Sequence, residues 1–368
     1  MAGFPFMRQA EAFRSSLPFI LLLAVFILPC PMSAAAKPRP AIAFVHLLLP
    51  PGGEPHASPA GWIGSLDRAR DTLESLRIPT IVSSASPGNA EDLNELSEMD
   101  PEVLITTSPL LYAAACDVAK RSPNTVFFAC TDETVHDNMS GFQARTYEAH
   151  YLAGLIAGAL SEDGVIGYLA NDPYQSKASR LRNANAFTLG AQKSKAAIRV
   201  LYAPGNDPDE ELKTLIAAGA DIVDLERALP SLVERLREHS VRYVGTAGRT
   251  VDPLCLAAPE WEWSNACGDL LTQVRFGIWR PRNVSYGIKE GVVGLSPFGP
   301  AVPETVRVRV REAKEAIRNG ASPFEGPVRD VSGSLRIAEG SVPDDATLRG
   351  MDWRVQGLEP LPLTPDGR

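Results

Sequence analysis

Short apolar runs alternate with stretches of helical spacing along most of this chain, and that alternation restricts the fold more than any other feature. Residues 41–48, 79–83, 103–107, 125–129, 165–170, 198–203, 220–225 and 243–246 read as strands. Between them, 62–76, 91–99, 110–121, 148–160, 176–194, 209–218 and 229–239 read as helices, as where Leu66, Ala69, Leu73 and Leu76 fall on one helical face. Such alternation gives parallel sheets with helices on both faces. One sheet of this many strands is large. Two sheets, divided near 138–147, suit the length better. Further along, 254–259 and 284–295 read as extended, and 264–276 and 304–319 as helices. The second of these helices is closed by Gly320. Gly154 and Gly158, four apart in an apolar helix, allow close backbone approach.

The N-terminus stands apart from this pattern. Arg8 and Arg14 outnumber Glu11, residues 17–28 are apolar with Pro18 the one break, and Ala34-Ala35-Ala36 follow. Positive start, apolar core and small residues predict a secretory signal peptide over 1–36, cleaved after Ala36. An apolar run of about 12 residues is too short to span a bilayer. Cys30, after Ile27-Leu28-Pro29, offers the alternative of a lipid anchor. The chain from Lys37 then holds about 330 residues, enough for two domains.

Chemistry is conspicuous by what is missing. With a formal charge of −8 and no Lys/Arg run, the chain has no footprint for a nucleic-acid polymer. It has no G-x-G-x-x-G between strand and helix, Walker A loop, H-E-x-x-H or G-x-S-x-G. The five histidines are scattered, so neither a metal site nor a cofactor is expected, and no residue is nominated as catalytic. Four cysteines follow the leader: Cys116, Cys130, Cys255 and Cys267. In an oxidising compartment they allow three pairings. Proximity favours Cys116 with Cys130 and Cys255 with Cys267; buried thiols are the alternative.

Several segments, in order, resemble the basic membrane protein (BMP) family of ABC-transporter substrate-binding proteins, of purine or purine-nucleoside-binding type. They include Thr106-Thr107-Ser108, Tyr151-Leu152-Ala153-Gly154, Gly164-Val165-Ile166-Gly167-Tyr168, Ala186-Phe187-Thr188-Leu189-Gly190-Ala191, Ala218-Gly219-Ala220-Asp221, Phe324-Glu325-Gly326-Pro327 and Met351-Asp352-Trp353. The resemblance implies an α/β type I periplasmic-binding-protein fold: two doubly wound parallel-sheet lobes joined by three crossovers. Lobe 1 is expected over 37–142 plus 255–285 and lobe 2 over 143–250 plus 286–330. A tail, 331–368, would pack on the body. Cys255 and Cys267 then bracket a crossover and are expected to pair.

The function implied is an exported, monomeric protein, periplasmic or held at the cell envelope, that captures a purine- or nucleoside-like molecule between its lobes for an ABC permease. An exported α/β enzyme and a ligand-sensing receptor are the alternatives. The resemblance places Trp62 where relatives stack an aromatic on the base. Ser108, Asn171 and Asp172 follow strands at ends where open α/β sheets bind ligands. Phe142, Trp261 and Trp263 lie on the crossovers, where they can wall the cleft. The chain departs from the relatives at three points. Arg249 stands in place of a carboxylate, Ser58-Pro59-Ala60-Gly61 lacks an acid before Trp62, and Gly205-Asn206 lacks an aromatic before Asp207-Pro208. Trp62 and Arg249 are expected to face each other across the cleft.

Overall fold

The computed structural model describes residues 39–48, 61–131, 133, 136–173, 175–245 and 252–362. The leader with its cleavage site, Cys30 and Arg249 therefore lie outside the described residues.

The chain begins with β1 (Ile42–Leu47), α1 (Trp62–Ser75), β2 (Thr80–Ala85), α2 (Ala90–Ser97), β3 (Val103–Thr106), α3 (Tyr112–Ala119), β4 (Val126–Cys130) and β5 (Met139–Ala144). It then crosses to α4 (Thr146–Leu160), β6 (Val165–Leu169), α5 (Lys177–Ser194), β7 (Arg199–Ala203), α6 (Pro208–Ala217), β8 (Ile222–Leu225), α7 (Pro230–Glu238) and β9 (Arg242–Gly245). Next come β10 (Cys255–Ala257), β11 (Pro259–Trp261), α8 (Ser264–Arg275), β12 (Asn283–Tyr286), β13 (Val293–Leu295) and α9 (Glu304–Arg318). The chain closes with β14 (Val328–Arg329), β15 (Leu335–Ile337), α10 (Asp345–Arg349) and β16 (Leu358–Pro360).

Two parallel six-stranded sheets result. Lobe 1 has the order β12-β5-β4-β3-β1-β2 and lobe 2 the order β10-β9-β8-β6-β7-β16. Central strands such as Val103–Thr106 are buried along their whole length, as strands covered on both faces must be. Each sheet carries an apolar core on either face, and all four cores are built from residues between Ala41 and Leu361. Helix starts are fixed locally. The side chains of Asn89, Ser176, Asp207 and Asp344 accept backbone N–H groups of the first turns of α2, α5, α6 and α10.

In lobe 2, α4 and α5 touch backbone to backbone. A Cβ on Gly154 would lie 2.0 Å from the Phe187 carbonyl oxygen, and one on Gly158 2.2 Å from that of Ala191. The spacing of the two glycines thus sets a helix contact.

The chain crosses between lobes three times: from β5 to α4, from β10 through β11 to α8, and from β12 through β13 to α9. The antiparallel pair β11–β13 ties the second crossing to the third. Arg145 ties the first to the third: its N–H donates to the Tyr286 carbonyl at 2.7 Å, and its guanidinium pairs with Glu290 at 3.2 Å. The same guanidinium meets Asp345 of α10 at 3.0 Å, so the tail reaches this junction. Glu148 accepts the Ile288 N–H at 2.6 Å, and burial raises its carboxyl to about 7.

Four sequence expectations need correction. Residues 255–257, assigned to lobe 1, extend the sheet of lobe 2, because the apolar run around Leu256 pairs with β9. The extended run 284–295 is two strands, β12 in lobe 1 and β13 at the crossing, separated by a tight turn at Gly287–Gly291. The tail does more than cover the body, since β16 pairs in parallel with β7 as a sheet strand. Finally, the four cysteines are thiols, not disulfides. Cys255 packs on a lobe 2 core and Cys267 within a lobe 1 core, while Cys116 and Cys130 sit on opposite faces of the lobe 1 sheet. Burial lifts the Cys255 thiol to about 11 and that of Cys267 to about 12, so both are protonated and poorly reactive.

Candidate functional site

Parallel strands end together, and the polar groups of each lobe gather at those ends. In lobe 1 the end of β1 presents His46. Its Nδ1 lies 3.2 Å from the Thr107 hydroxyl and its Nε2 3.2 Å from Asp67 on α1. Burial holds the imidazole below its usual value, with Asp67 opposing the shift. Thr107, just past β3, also offers its carbonyl to the Trp62 indole N–H at 2.8 Å. That bond fixes Trp62, the first residue of α1, at the strand-end layer.

Trp62 is the half-exposed member of an aromatic stack. Its ring lies parallel to Phe142 (6.1 Å, 10°), and Phe142 lies parallel to Phe128 (4.3 Å, 13°). Trp261 and Trp263 meet Trp62 edge-on at 5.9 and 5.1 Å. Four residues singled out from the sequence therefore form one cluster. Phe142 and Trp263 are fully buried, so they support Trp62 and cannot themselves be reached by a ligand. The Trp261 indole N–H donates to Thr146 Oγ1 at 3.4 Å, tying the second crossing to the first.

The polar candidates divide. Ser108 is buried, and its Oγ caps the turn at Leu110 N. The amide of Asn171 is used twice by Arg227, accepting its N–H at 2.9 Å and donating to its carbonyl at 2.8 Å. That pair staples the loop after β6 to the loop after β8. Asp172, half-buried beside it, accepts from Gln175 at 3.0 Å. Arg249 is not among the described residues, so its approach to Trp62 is not placed. Gly205 explains one departure from the relatives. It has φ +78°, and a Cβ there would lie 2.2 Å from the Ala170 carbonyl, so this loop admits no aromatic at that position.

Sequence reasoning missed a second polar feature, at the end of β8. Asp224 and Glu226 lie on the same side of that strand. Glu226 accepts the Tyr168 hydroxyl at 2.9 Å and the Asp172 N–H at 3.4 Å. Asp224 pairs with His150 of α4 at 3.2 Å, with both side chains buried. Burial pushes Glu226 up to about 8. Burial also pulls His150 down, but Asp224 and Glu226 more than reverse this, and its net shift is upward. The available signal was the acidic pair at alternate positions in an otherwise apolar strand, Asp224 and Glu226.

Among the described residues no cluster of His, Cys, Asp or Glu is arranged to hold a metal ion. A cavity of about 260 Å³ lies on the crossings, lined by residues including Arg68, Trp261, Glu262, Val293 and Lys314, with none of the strand-end residues.

Residues 66–217 match the family model described as Bmp, ABC transporter substrate-binding protein PnrA-like. Over 344 residues the chain is 28% identical to a purine-binding protein of Brucella abortus, covering 89% of this chain and 95% of that one. Over these residues the chain is similar to the Bmp family. Over 307 residues it is also 28% identical to a Haloferax volcanii protein named as an ABC transporter glucose-binding protein, covering 77% of this chain and 78% of that one. An ABC transporter solute-binding protein from Conexibacter woesei superposes with a TM-score of 0.61 at 17% identity, covering 76% of this chain and 97% of that one. The fold is thus the type I periplasmic-binding-protein fold, and the sequence likeness is to substrate-binding proteins of ABC transporters. No helix among the described residues is long and apolar enough to cross a membrane.

Proposed function

We propose that this protein belongs to the Bmp family, is exported, captures a flat purine- or nucleoside-like molecule between its lobes, and hands it unchanged to an ABC permease. The observation that carries this reading is Trp62. A half-exposed indole, pinned by its N–H at the strand-end layer and backed by Phe142, is a platform for a neutral heterocycle. The likeness to a protein named as purine-binding supports it. Trp62 is the proposed stacking residue and Trp261 its side wall. Asp172 and Arg249 are the proposed polar contacts from lobe 2. Ser108 and Asn171 shape the loops around the ligand, because their side chains are committed to backbone groups.

Titration calorimetry with adenine, guanine, adenosine, guanosine and inosine tests the reading, with glucose as the counter-probe and chromatography of the recovered ligand. Saturable binding of a base-containing ligand, recovered intact, is expected. Binding of glucose alone, or conversion of any base or nucleoside, overturns it. Export with cleavage after Ala36 predicts a secreted N-terminus at Lys37; one at Cys30 carrying lipid assigns an anchor instead.

A further inference from the structure

The end of lobe 1 opposite the strand-end layer carries an unusual loop. Residues 275–282 read Arg275-Phe276-Gly277-Ile278-Trp279-Arg280-Pro281-Arg282: three arginines and no carboxylate, in a chain whose net charge is −8. Phe276 is 76% exposed and Ile278 64% exposed. Trp279 is partly buried against the core and anchors the turn. Arg280 closes the turn by donating to the Gly277 carbonyl at 3.1 Å, and this leaves the two apolar side chains outside.

This loop lies where the described chain enters the fold. Glu102 takes Arg275 in a two-bond pair at 2.9 and 2.8 Å, and its own N–H donates to the Pro40 carbonyl. Ala41 N–H donates to the Pro79 carbonyl, which brings in the end of α1, where Leu76 is 67% exposed. Exposed apolar side chains and two arginines, Arg280 and Arg282, with no ion-pair partner among the described residues therefore share one pole with residue 39, where the described chain begins.

We propose that this pole rests on an anionic lipid bilayer, with Phe276 and Ile278 entering the headgroup boundary and Arg280 and Arg282 meeting lipid phosphates. Charge decides for lipid over a second copy meeting loop to loop, which would set Arg280 and Arg282 against the same two arginines. A surface helix or loop of this composition binds through buried apolar area together with attraction to anionic lipid. Each arginine near such a surface contributes about fivefold in affinity. One weak membrane signal gives only marginal binding, and a second one makes it stable. The loop supplies one signal on the folded body itself, close to residue 39.

The test uses the chain from Lys37 onward, which contains all four apolar cores. It is floated with vesicles of phosphatidylcholine mixed with phosphatidylglycerol, and with phosphatidylcholine alone. Partition onto the anionic vesicles only, weakened by salt, is expected. Arg280→Glu/Arg282→Glu and Phe276→Ser/Ile278→Ser should each lower it at least tenfold while leaving the melting temperature and ligand binding in place. Equal partition onto neutral vesicles, no partition, or double variants that bind like the parent overturn the proposal. Concentration-dependent self-association abolished by Phe276→Ser/Ile278→Ser also overturns it, assigning the patch to a second copy.

Discussion

Trp62 combines two demands that usually exclude each other, being half-exposed yet held in one orientation by the Thr107 carbonyl and three neighbouring rings. If a base stacks on it, Trp62→Ala weakens binding by about 1–3 kcal/mol in calorimetry. An unchanged Kd removes Trp62 from the site. Glu226 gives a second residue-scale prediction. Its carboxyl ionises near 4.5 in the unfolded chain and near 8 in the fold. A group whose pKa is raised by folding stabilises the fold fully below its unfolded value, and that contribution is lost as pH rises through the folded value. Glu148, raised to about 7, and His150 shift in the same direction and add to the loss, while His46, held below its usual value, opposes it in part. Asp252 and Asp345 shift downward, so their contribution disappears only on acidification. The melting temperature should therefore fall between about pH 5 and pH 8 by an amount worth a few kcal/mol. Glu226→Gln should make that decline shallower; parallel curves for variant and parent would place the titration elsewhere.

At the scale of elements, the contact between α4 and α5 depends on glycine at the crossing points. Gly154→Ala places a methyl group 2.0 Å from the Phe187 carbonyl, where backbone must move. A loss of about 1–3 kcal/mol or more is expected in denaturant unfolding. Gly268, inside α8, has open space around its Cβ position. Gly268→Ala should stabilise by about 0.5–1 kcal/mol through helix propensity alone. Similar losses in the two variants would mean that propensity, not contact, governs both. The fold was legible at this scale, because apolar runs and helical spacing marked nearly every strand and helix of the two lobes. The tail was not. Leu358–Pro360 is a three-residue strand whose only claim to that conformation is the edge of β7 beside it.

Across the whole molecule, the C-terminal residues are structural. Met351, Val355 and Leu358 are buried in the lobe 2 core, Asn185 receives the Val355 N–H at 2.9 Å, and Asp345 reaches Arg145 at the crossings. A chain ending at Gly340 removes β16, leaves β7 as an open edge and uncovers that core. It should aggregate or elute as a mixture in size exclusion, with loss of the lobe 2 transition in calorimetry. A monodisperse product with the parent melting profile would show that the tail is dispensable.

The order of strands and helices, the doubling into two sheets, the close approach at Gly154 and the likeness to Bmp proteins were all legible in local pattern. Burial and backbone geometry leave a periodic trace in sequence, which is why these features can be read from it. The sequence also marked Trp62 as a stacking aromatic and Phe142, Trp261 and Trp263 as residues on the crossings, but not that they form one cluster in which Phe142 and Trp263 are buried and Trp62 and Trp261 are partly exposed. The states of the cysteines, the use of Asn171 as a loop staple, the side of the boundary on which residues 255–257 fall and the buried Asp224–His150 and Glu226–Tyr168 pairs were decided only in three dimensions. Each depends on which groups from distant segments meet, and contact between distant segments leaves no period in the chain.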